Sequence, residues 1–380
     1  MSTLPPRILL SGYYGAGNLG DDLLLTVLVR ELRSIFPQAH FVIRDHGDTT
    51  GLIGLGSNIE FARIEQLPSD QRRSKLIRLV LYLWTFHRLL RGCRWLVFGG
   101  GTVFHQYGGL TNLILQWCIS TLAKANGVAI AALGVGVADL HSGLARLLLR
   151  SIIAKSKLFL VRDEAALQQC TGTKAQLTND LVFAWAPEFV HGPPRNAREP
   201  GSPVVALAIY PPAFLGPTGP TTMAALVNAI QQWRSAGTRV VFLVFQNTDR
   251  IRDDNQIFQD ILAAIAATSG PPIEIRRPNA DAHQIANALA DIDVFTGMRY
   301  HGLVLAAMLG LPFVGLAHDD KITEICRRFQ MPCINVSDLD GADLVSKVEL
   351  VRGRVPDQAV LTSCVAAAQK NFQAFAECNR

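Results

Sequence analysis

Residues 11–22 read Ser11-Gly12-Tyr13-Tyr14-Gly15-Ala16-Gly17-Asn18-Leu19-Gly20-Asp21-Asp22, between an apolar run that begins at Ile8 and a stretch of helical periodicity that reaches residue 36. This order predicts a buried strand that leads through a glycine loop into a helix. Glycines at such a junction let the backbone approach a ligand closely. The spacing differs from that of dinucleotide-binding loops, and acidic residues at the helix start would repel a pyrophosphate. Asp21 and Asp22 therefore either cap a tight turn or accept hydrogen bonds from sugar hydroxyls.

The same alternation of patterns continues along the chain. Short apolar runs at 95–98, 129–133 and 158–161 each predict a buried parallel strand. Stretches of helical periodicity lie between them, and a second series of strand and helix patterns begins at residue 204. The alternation predicts an α/β protein with doubly wound parallel sheets.

The length and composition indicate two domains. At 380 residues, with 49% hydrophobic and 18% charged residues, the chain is too long for one ordinary core and is suited to two buried sheets. Residues 187–203 have no periodicity and are rich in Pro and Gly, which is typical of a linker. We predict an N-terminal Rossmann-like domain over 1–186, a linker over 187–203 and a C-terminal Rossmann-like domain over 204–355. A helix over 356–380 is placed to pack back on the first domain, and we expect the active site in the interdomain cleft.

Charge and cysteine content narrow the function further. The net charge of +5 suits an anionic substrate or a membrane surface but is too small and scattered for nucleic acid. The seven cysteines lack CxxC spacing, which indicates the reduced thiols of a cytoplasmic protein. The first strand follows the N-terminus closely, and we identify neither a targeting segment nor an apolar run that spans a bilayer. These features predict a cytoplasmic protein that is soluble or peripheral.

A second glycine loop follows the strand predicted at 95–98. Gly99, Gly100 and Gly101 are consecutive there, and His105 and Gln106 come shortly afterwards. Three glycines cost conformational entropy at a strand end, where open α/β sheets bind their ligands. The loop is therefore a predicted ligand contact.

The most specific pattern of charged residues lies in the second series of strands and helices, which begins at residue 204. Gly297, Arg299 and His301 stand at the junction of an apolar strand and an apolar helix, and Lys321 follows the next strand. Cations beside a helix N-terminus form an anion site. A histidine satisfied within the core is the alternative for His301.

Two weaker elements end strands of the first series. Arg162 precedes Asp163-Glu164, and Asp180 follows Thr178-Asn179. Arg162 either points into the cleft or belongs to a helix cap and a salt bridge, and the sequence leaves both interpretations open.

These motifs, in this order, resemble the polysaccharide pyruvyl transferase family. The resemblance runs from about residue 7 to 329 and includes Gly-Gly-Gly at 99–101, Val-Arg-Asp-Glu at 161–164 and Arg-Tyr-His-Gly-Leu-Val at 299–304. It implies a GT-B-like fold and phosphoenolpyruvate as the donor, hence a co-substrate and no cofactor. The implied product is a pyruvate ketal on a sugar of a cell-surface polysaccharide or its lipid-linked precursor, as in cell-envelope or exopolysaccharide synthesis.

The resemblance also implies roles for the residues of these motifs. His301, Lys321 and Arg162 form the catalytic set, while Arg299, Gly297 and the glycines Gly99, Gly100 and Gly101 bind the donor. The acceptor side comprises Asp21, Asn18, Gly17, His105 and Gln106. Family members often continue the glycine loop with Gln-Asp, whereas this chain has Phe104-His105-Gln106, so the acceptor is left open. No metal-ligand spacing is recognised, and the oligomeric state is not predicted.

Residues 71–94 combine seven Lys and Arg residues with many apolar ones, including Trp84. A basic amphipathic helix of this kind suits the surface of an anionic membrane. An ordinary helix that covers the first sheet is the alternative.

Two other functions compete with pyruvyl transfer. A GT-B glycosyltransferase or epimerase that uses a nucleotide sugar needs a carboxylate for the ribose, and Glu324 is the candidate. A binding or scaffold protein without chemistry would not require Arg299, His301 and Lys321 together.

Overall fold

A computed structural model of the protein describes residues 5–49, 52, 55–63, 75–186, 201–211, 215–247, 253–265 and 269–379. The chain forms two compact units. The first comprises Met1–Ala16, Asp21–Ala184 and Cys364–Arg380, and the second comprises Gly17–Gly20 and Trp185–Ser363. Of the linker predicted over 187–203, residues 187–200 lie outside the described part of the chain.

The first unit is built on a parallel sheet. Its described strands are β1 (Arg7–Ala16), β2 (His40–Asp48), β3 (Ile59–Arg63), β4 (Cys93–Gly99), β5 (Thr102–His105), β6 (Ala129–Ala138), β7 (Leu158–Val161) and β8 (Gln176–Leu177). They follow the order β3-β2-β1-β4-β6-β7-β8, and β5 pairs with β6. The helices are α1 (Leu19–Ile35), α2 (Lys75–Leu90), α3 (Thr111–Ala125), α4 (Gly143–Lys155) and α5 (Glu164–Gln169).

The central strands of this sheet are continuous apolar runs because they are covered on both faces. In β4 and β6, Val97 pairs with Ala131 and Phe98 with Ala132, and all four side chains are buried. The parallel strands predicted from the sequence are thus confirmed at the middle of the sheet. The first strand runs on to Ala16, so that it includes part of the predicted glycine loop.

The second unit contains a second parallel sheet. Its described strands are β9 (Val204–Ala208), β10 (Arg239–Leu243), β11 (Glu274–Arg276), β12 (Val294–Gly297), β13 (Phe313–Ala317) and β14 (Cys333–Asn335). They follow the order β11-β10-β9-β12-β13-β14. The helices are α6 (Gly219–Ser235), α7 (Asp254–Ala264), α8 (Ala282–Leu289), α9 (Tyr300–Met308), α10 (Asp320–Arg328) and α11 (Gly341–Val351). The predicted α/β class, with two Rossmann-like sheets, is confirmed.

The last helix, α12 (Gln358–Glu377), crosses from one unit to the other, since its residues from Cys364 onward belong to the first unit. There the Phe375 ring lies 4.7 Å from the Trp95 ring. The Trp95 indole N–H donates to the Asn379 side chain at 2.8 Å. The C-terminal residues therefore complete the core of the first unit.

Candidate functional site

The second unit places its charged and aromatic residues at the carboxyl ends of four neighbouring strands. Gly297 ends β12, and Arg299 and His301 follow it at the start of α9. Lys321 is the second residue of α10, which follows β13. In a parallel sheet these ends share one edge, where open α/β proteins bind their ligands.

Arg299 is held by a buried ion pair. Its guanidinium donates to the carboxylate of Asp254, which is fully buried at the start of α7. The same carboxylate accepts the backbone N–H groups of Phe245 and Gln246 at 2.8 and 2.9 Å. Burial raises the pKa of Asp254, and the Arg299 charge and the two N–H donors oppose that shift. The pair fixes the direction of the guanidinium.

The residues that the structure describes do not satisfy every donor of the Arg299 guanidinium. Its Nε is buried and has no hydrogen-bond partner among the described residues. Arg299 also occupies the N-cap position of α9, where it provides no capping acceptor. A helix N-terminus carries partial positive charge, and a buried donor without a partner costs free energy until an acceptor binds. Both features favour an anion at this position.

An aromatic pair lies beside this arginine. The Tyr210 ring, just after β9, lies 4.8 Å from the Arg299 guanidinium and 5.0 Å from the His318 ring, against which it stacks. Burial lowers the pKa of His318, and neighbouring Asp319 opposes that shift. His318 is therefore kept neutral near pH 7.

Lys321 has a carboxylate partner. Its Nζ lies 2.9 Å from Asp319, which also caps α10 by accepting the N–H of Ile322 at 3.3 Å. The lysine side chain is 39% exposed, so both solvent and ligand can reach it. The protein thus offsets this positive charge but does not enclose it.

The segment Gly17–Gly20, which includes the first two residues of α1, belongs to the second unit and contacts His301. The Leu19 N–H donates to the Phe245 carbonyl at 2.8 Å, and the Asn247 N–H donates to the Gly17 carbonyl at 2.8 Å. A Cβ atom on Gly20 would lie only 2.2 Å from Nδ1 of His301, so this close approach requires glycine. Gly17 and Asn18, predicted on the acceptor side within the first domain, therefore lie with the predicted donor residues.

Asp21 and Asp22 hold the other end of this segment in the first unit. Asp22 accepts the N–H of Gly15 at 3.0 Å. A Cβ atom on Gly101 would lie 3.2 Å from Oδ1 of Asp21, which places this carboxylate against the second glycine loop. The structure therefore brings together Asp21 and Gly101. Asp22 instead stabilises the turn that begins at Gly15.

The other two glycines of the second loop are required by packing. A Cβ atom on Gly99 would lie 2.1 Å from Leu28, and one on Gly100 would lie 2.5 Å from Leu24. Gly100 also has a φ of +65°, a conformation that side-chain-bearing residues rarely adopt. Contact with α1 explains these glycines without a ligand, so their donor-binding role stays a prediction.

Arg162 is enclosed by protein partners in the first unit. It lies 3.2 Å from the Asp163 carboxylate and 3.3 Å from that of buried Asp180, and it donates to the Thr102 hydroxyl at 3.1 Å. Asp163 also caps α5 by accepting from Ala166 at 2.8 Å. The salt bridge and cap left open by the sequence are both present.

The predicted acceptor residues at the end of β5, His105 and Gln106, differ in their surroundings. The His105 ring stacks on that of Tyr107, with 4.6 Å between centroids, and burial lowers the pKa of His105. The Gln106 side chain accepts backbone N–H groups of His141 and Ser142 at 2.9 and 3.2 Å. Gln106 thus anchors the start of α4, and the His105–Tyr107 pair is the more open of the two.

Sequence reasoning did not select Tyr210, Asp254 or His318 as site residues. Tyr210 comes two residues after the apolar strand β9 and His318 directly follows the apolar strand β13, so polar residues at the carboxyl end of every apolar run were the signal that could have found them. Asp254 lies farther along the chain and is brought in by the fold.

Two features are absent from the residues that the structure describes. No helix in that part of the chain combines the length and apolarity needed to cross a bilayer. Within the same residues, His, Cys, Asp and Glu side chains form no group of three or more that is suited to a metal ion.

Comparison with solved structures defines the class of protein. The UDP-GlcNAc 2-epimerase of Methanocaldococcus jannaschii is similar, with a TM-score of 0.63, 12% identity and coverage of 98% of this chain and 99% of that one. The Neisseria meningitidis UDP-GlcNAc 2-epimerase bound to UDP-GlcNAc has a TM-score of 0.60, 9% identity and coverage of 98% and 99%. Anabaena HepE, in complex with UDP-glucose, has a TM-score of 0.55, 12% identity and coverage of 97% and 94%. The chain thus has a GT-B-like fold.

The sequence comparison then identifies the family. The model of the family described as "Polysaccharide pyruvyl transferase" matches residues 18–320, which include the loop at Asn18, Arg162, Arg299 and His301. The chain belongs to this family. A search of curated protein sequences found no match.

Proposed function

We propose that the protein transfers the enolpyruvyl group of phosphoenolpyruvate to a sugar of a cell-surface polysaccharide or its lipid-linked precursor, as a pyruvate ketal. Membership of the family supports pyruvyl transfer. The observation that carries the donor assignment is Arg299, a buried cation that keeps one unpartnered nitrogen at the uncapped N-terminus of α9. A small donor with a phosphate and a carboxylate matches such a site.

The donor's two anionic groups require more than one cation. Arg299 suits a bidentate contact with the carboxylate or phosphate, and His301 follows it by two residues on α9. Lys321 and Arg162 offset the charge that develops on the leaving phosphate. Because Arg162 is buried and already contacts two carboxylates, its contribution is to stabilise that phosphate during the reaction more than to bind the donor. Lys321 is partly exposed and faces a single carboxylate, so it also binds the phosphate of the donor.

Ketal formation proceeds in two additions at C2 of the donor. A proton is delivered to the methylene carbon, which becomes a methyl group, and a sugar hydroxyl attacks C2. Phosphate then leaves with the electrons of its C–O bond, and a second hydroxyl of the same sugar attacks C2 and loses its proton. His301 is the proposed proton carrier and phosphate contact because an imidazole can both donate and accept a proton, and because it lies two residues after Arg299 at the start of α9. Asp21 and Asp180 are candidates for the base that activates the sugar.

The proposed location is the cytoplasm, at the inner face of the membrane, where a lipid-linked acceptor is presented. The proposed acceptor residues are Asp21 and His105, with Gly17, Asn18 and Gln106 as further candidates from the resemblance. Phosphoenolpyruvate is a co-substrate, and no cofactor is part of the proposal.

A nucleotide-sugar enzyme is the second candidate. It is favoured by two of the similar structures, one bound to UDP-GlcNAc and the other in complex with UDP-glucose. The carboxylate this function needs, Glu324, lies 2.8 Å from Arg327 and 3.8 Å from Arg328 on its own helix. Because the family model matches residues 18–320 and the solved structures indicate the fold alone, pyruvyl transfer is the better supported function.

Titration calorimetry tests the donor directly. Wild type is expected to bind phosphoenolpyruvate, and His301→Ala and Lys321→Ala are each expected to weaken binding by about tenfold or more, which is about 1.4 kcal/mol. Lys347→Ala is the matched control because Lys347 also pairs with an aspartate on a helix of the second unit. Binding of a uridine diphosphate in place of phosphoenolpyruvate would replace the proposal with the nucleotide-sugar function.

A further inference from the structure

Helix α2 carries apolar side chains on two opposite sides. Tyr82, Phe86 and Leu90 are buried in the core cluster of the first unit. On the other side, large apolar residues recur at helical spacing in solvent: Ile77 (51% exposed), Val80 (57%), Leu81 (40%) and Trp84 (55%). An ordinary helix that covers a sheet has one apolar stripe, so the outer stripe needs another explanation.

The neighbouring helices extend this outer stripe. Helix α3 packs beside α2, and α4 packs beside α3. They expose three more large aliphatic side chains, Ile114 (39%), Leu144 (50%) and Leu147 (63%). Exposed cations lie on the same helices, at Arg88, Lys124, Arg146 and Arg150. We call these eleven residues on the three helices the α2–α4 surface.

Charge is strongly segregated toward this part of the chain. Residues 71–162 contain 13 Lys and Arg residues and a single acidic residue, Asp139, which is a formal charge of +12. The rest of the chain has 23 basic and 30 acidic residues, a formal charge of −7. The small net charge of the whole protein therefore conceals a basic segment of the sequence. Arg162 of this segment is buried against Asp180, whereas Arg88, Lys124, Arg146 and Arg150 are exposed and attract an anionic surface.

We propose that the α2–α4 surface docks on an anionic phospholipid membrane. Aliphatic and indole side chains enter the boundary between headgroups and acyl chains, while Arg and Lys reach the lipid phosphates. Arg88 already lies against Trp84, with 4.9 Å between its guanidinium carbon and the ring centroid. The apolar side chains insert into the membrane and the cations bind its anionic headgroups, a combination that is typical of peripheral membrane proteins.

This inference deepens the proposed location at the membrane and rests on the proposed function only for the lipid-linked acceptor. Docking holds the enzyme where such an acceptor is presented. Vesicle binding is measured without donor or acceptor. A protein that fails to bind vesicles could therefore still bind phosphoenolpyruvate, and one that fails to bind phosphoenolpyruvate could still bind vesicles.

Flotation of the full chain with vesicles tests the proposal. Wild type is expected to float with phosphatidylglycerol–phosphatidylcholine vesicles, to float weakly with phosphatidylcholine alone, and to be released by salt. Val80→Ser with Trp84→Ser is expected to abolish flotation. Arg146→Gln and Arg150→Gln are each expected to weaken it about fivefold, which corresponds to the contribution of one cation near an anionic surface.

Leu350→Ser is the matched control, because Leu350 is an equally exposed leucine (59%) on α11 of the second unit. It is expected to float like wild type. Each variant must retain the wild-type unfolding midpoint and phosphoenolpyruvate affinity. The proposal is overturned if wild type ignores anionic vesicles at low salt, if Leu350→Ser loses binding as fully as the α2 variant, or if the α2 variant floats normally but converts a dimer into a monomer.

Discussion

Two arginines at strand ends, one in each unit, have opposite surroundings. Arg162 contacts two carboxylates and a hydroxyl of the protein. Arg299 contacts one carboxylate, Asp254, and leaves a buried Nε without a partner among the described residues. Protein partners therefore offset the charge of Arg162, whereas Asp254 fixes the orientation of Arg299 and leaves one of its donors without a partner in that part of the chain.

The difference shows how to separate structural from ligand-binding cations. A buried arginine with enough carboxylates gains little from a further anion, because its charge is already offset. One with a single carboxylate and an open donor gains a charge-assisted hydrogen bond when an anion binds. Sequence spacing selected both residues, and only their contacts distinguish them.

The largest expected effect is on stability. Arg162→Ala leaves the fully buried Asp180 carboxylate without its cation, and breaking such a pair costs about 3–5 kcal/mol. Denaturant unfolding should show this loss. The double variant Arg162→Ala with Asp180→Asn should recover part of it, and Arg327→Ala on the exposed surface of α10 should change nothing. An unaltered unfolding free energy in Arg162→Ala would mean that the fold does not depend on this pair.

The next effect separates the two arginines in donor binding. Arg299→Lys keeps the charge but removes the Nε donor, so phosphoenolpyruvate affinity should fall by roughly 10- to 100-fold. Arg162→Lys should change that affinity by less than about twofold and lower turnover instead, because its proposed role is in the transition state. Calorimetry and steady-state kinetics measure the two quantities. Equal losses of affinity in Arg299→Lys and Arg162→Lys would show that the two arginines do not differ in donor binding.

A third pair of variants compares glycines. Gly20→Ala directs a methyl group at His301, whereas Gly99→Ala directs one at Leu28 in the first unit. Overpacking costs about 1–3 kcal/mol in either case. Only Gly20→Ala should also weaken phosphoenolpyruvate binding, and Gly143→Ala, where the added atom meets open space, serves as the control. A donor-binding loss in Gly99→Ala would support the ligand role predicted for the second glycine loop.

The fold was predictable because buried parallel strands appear as uninterrupted apolar runs, such as those of β4 and β9. Arg299, His301 and Lys321 were found for a related reason, since polar residues directly after such runs fall at the ligand-binding edge.

Other features depend on contacts between residues distant in sequence. Nothing in the spacing indicates that Asp254 pairs with Arg299, or that the Gly17–Gly20 loop belongs with the second unit. The same holds for Gly99 and Gly100, whose requirement comes from Leu28 and Leu24 one helix away. Amphipathic patterns likewise showed α2 as a helix but not which of its apolar faces is covered.

The smallest expected effect is a change in the pH dependence of stability that comes from His318. Burial lowers the pKa of His318, and Lys321 and Arg299 act in the same direction, while Asp319 opposes them. Below about pH 6.5 the unfolded chain therefore binds a proton at this position more readily than the folded protein. Stability from His318 is complete above that pH and is lost as the pH falls below it.

His318→Gln should remove this part of the pH dependence while keeping the size of the side chain. Unfolding free energies of wild type and His318→Gln, measured from pH 7 down to pH 5, should converge as the pH falls, because only wild type has the histidine to protonate. The carboxylates titrate in both proteins and cancel in the difference. Curves that stay parallel, or that diverge toward low pH, would show that His318 is not held neutral by burial. Its place beside Tyr210 and Arg299 would then have to be explained by a charged imidazole.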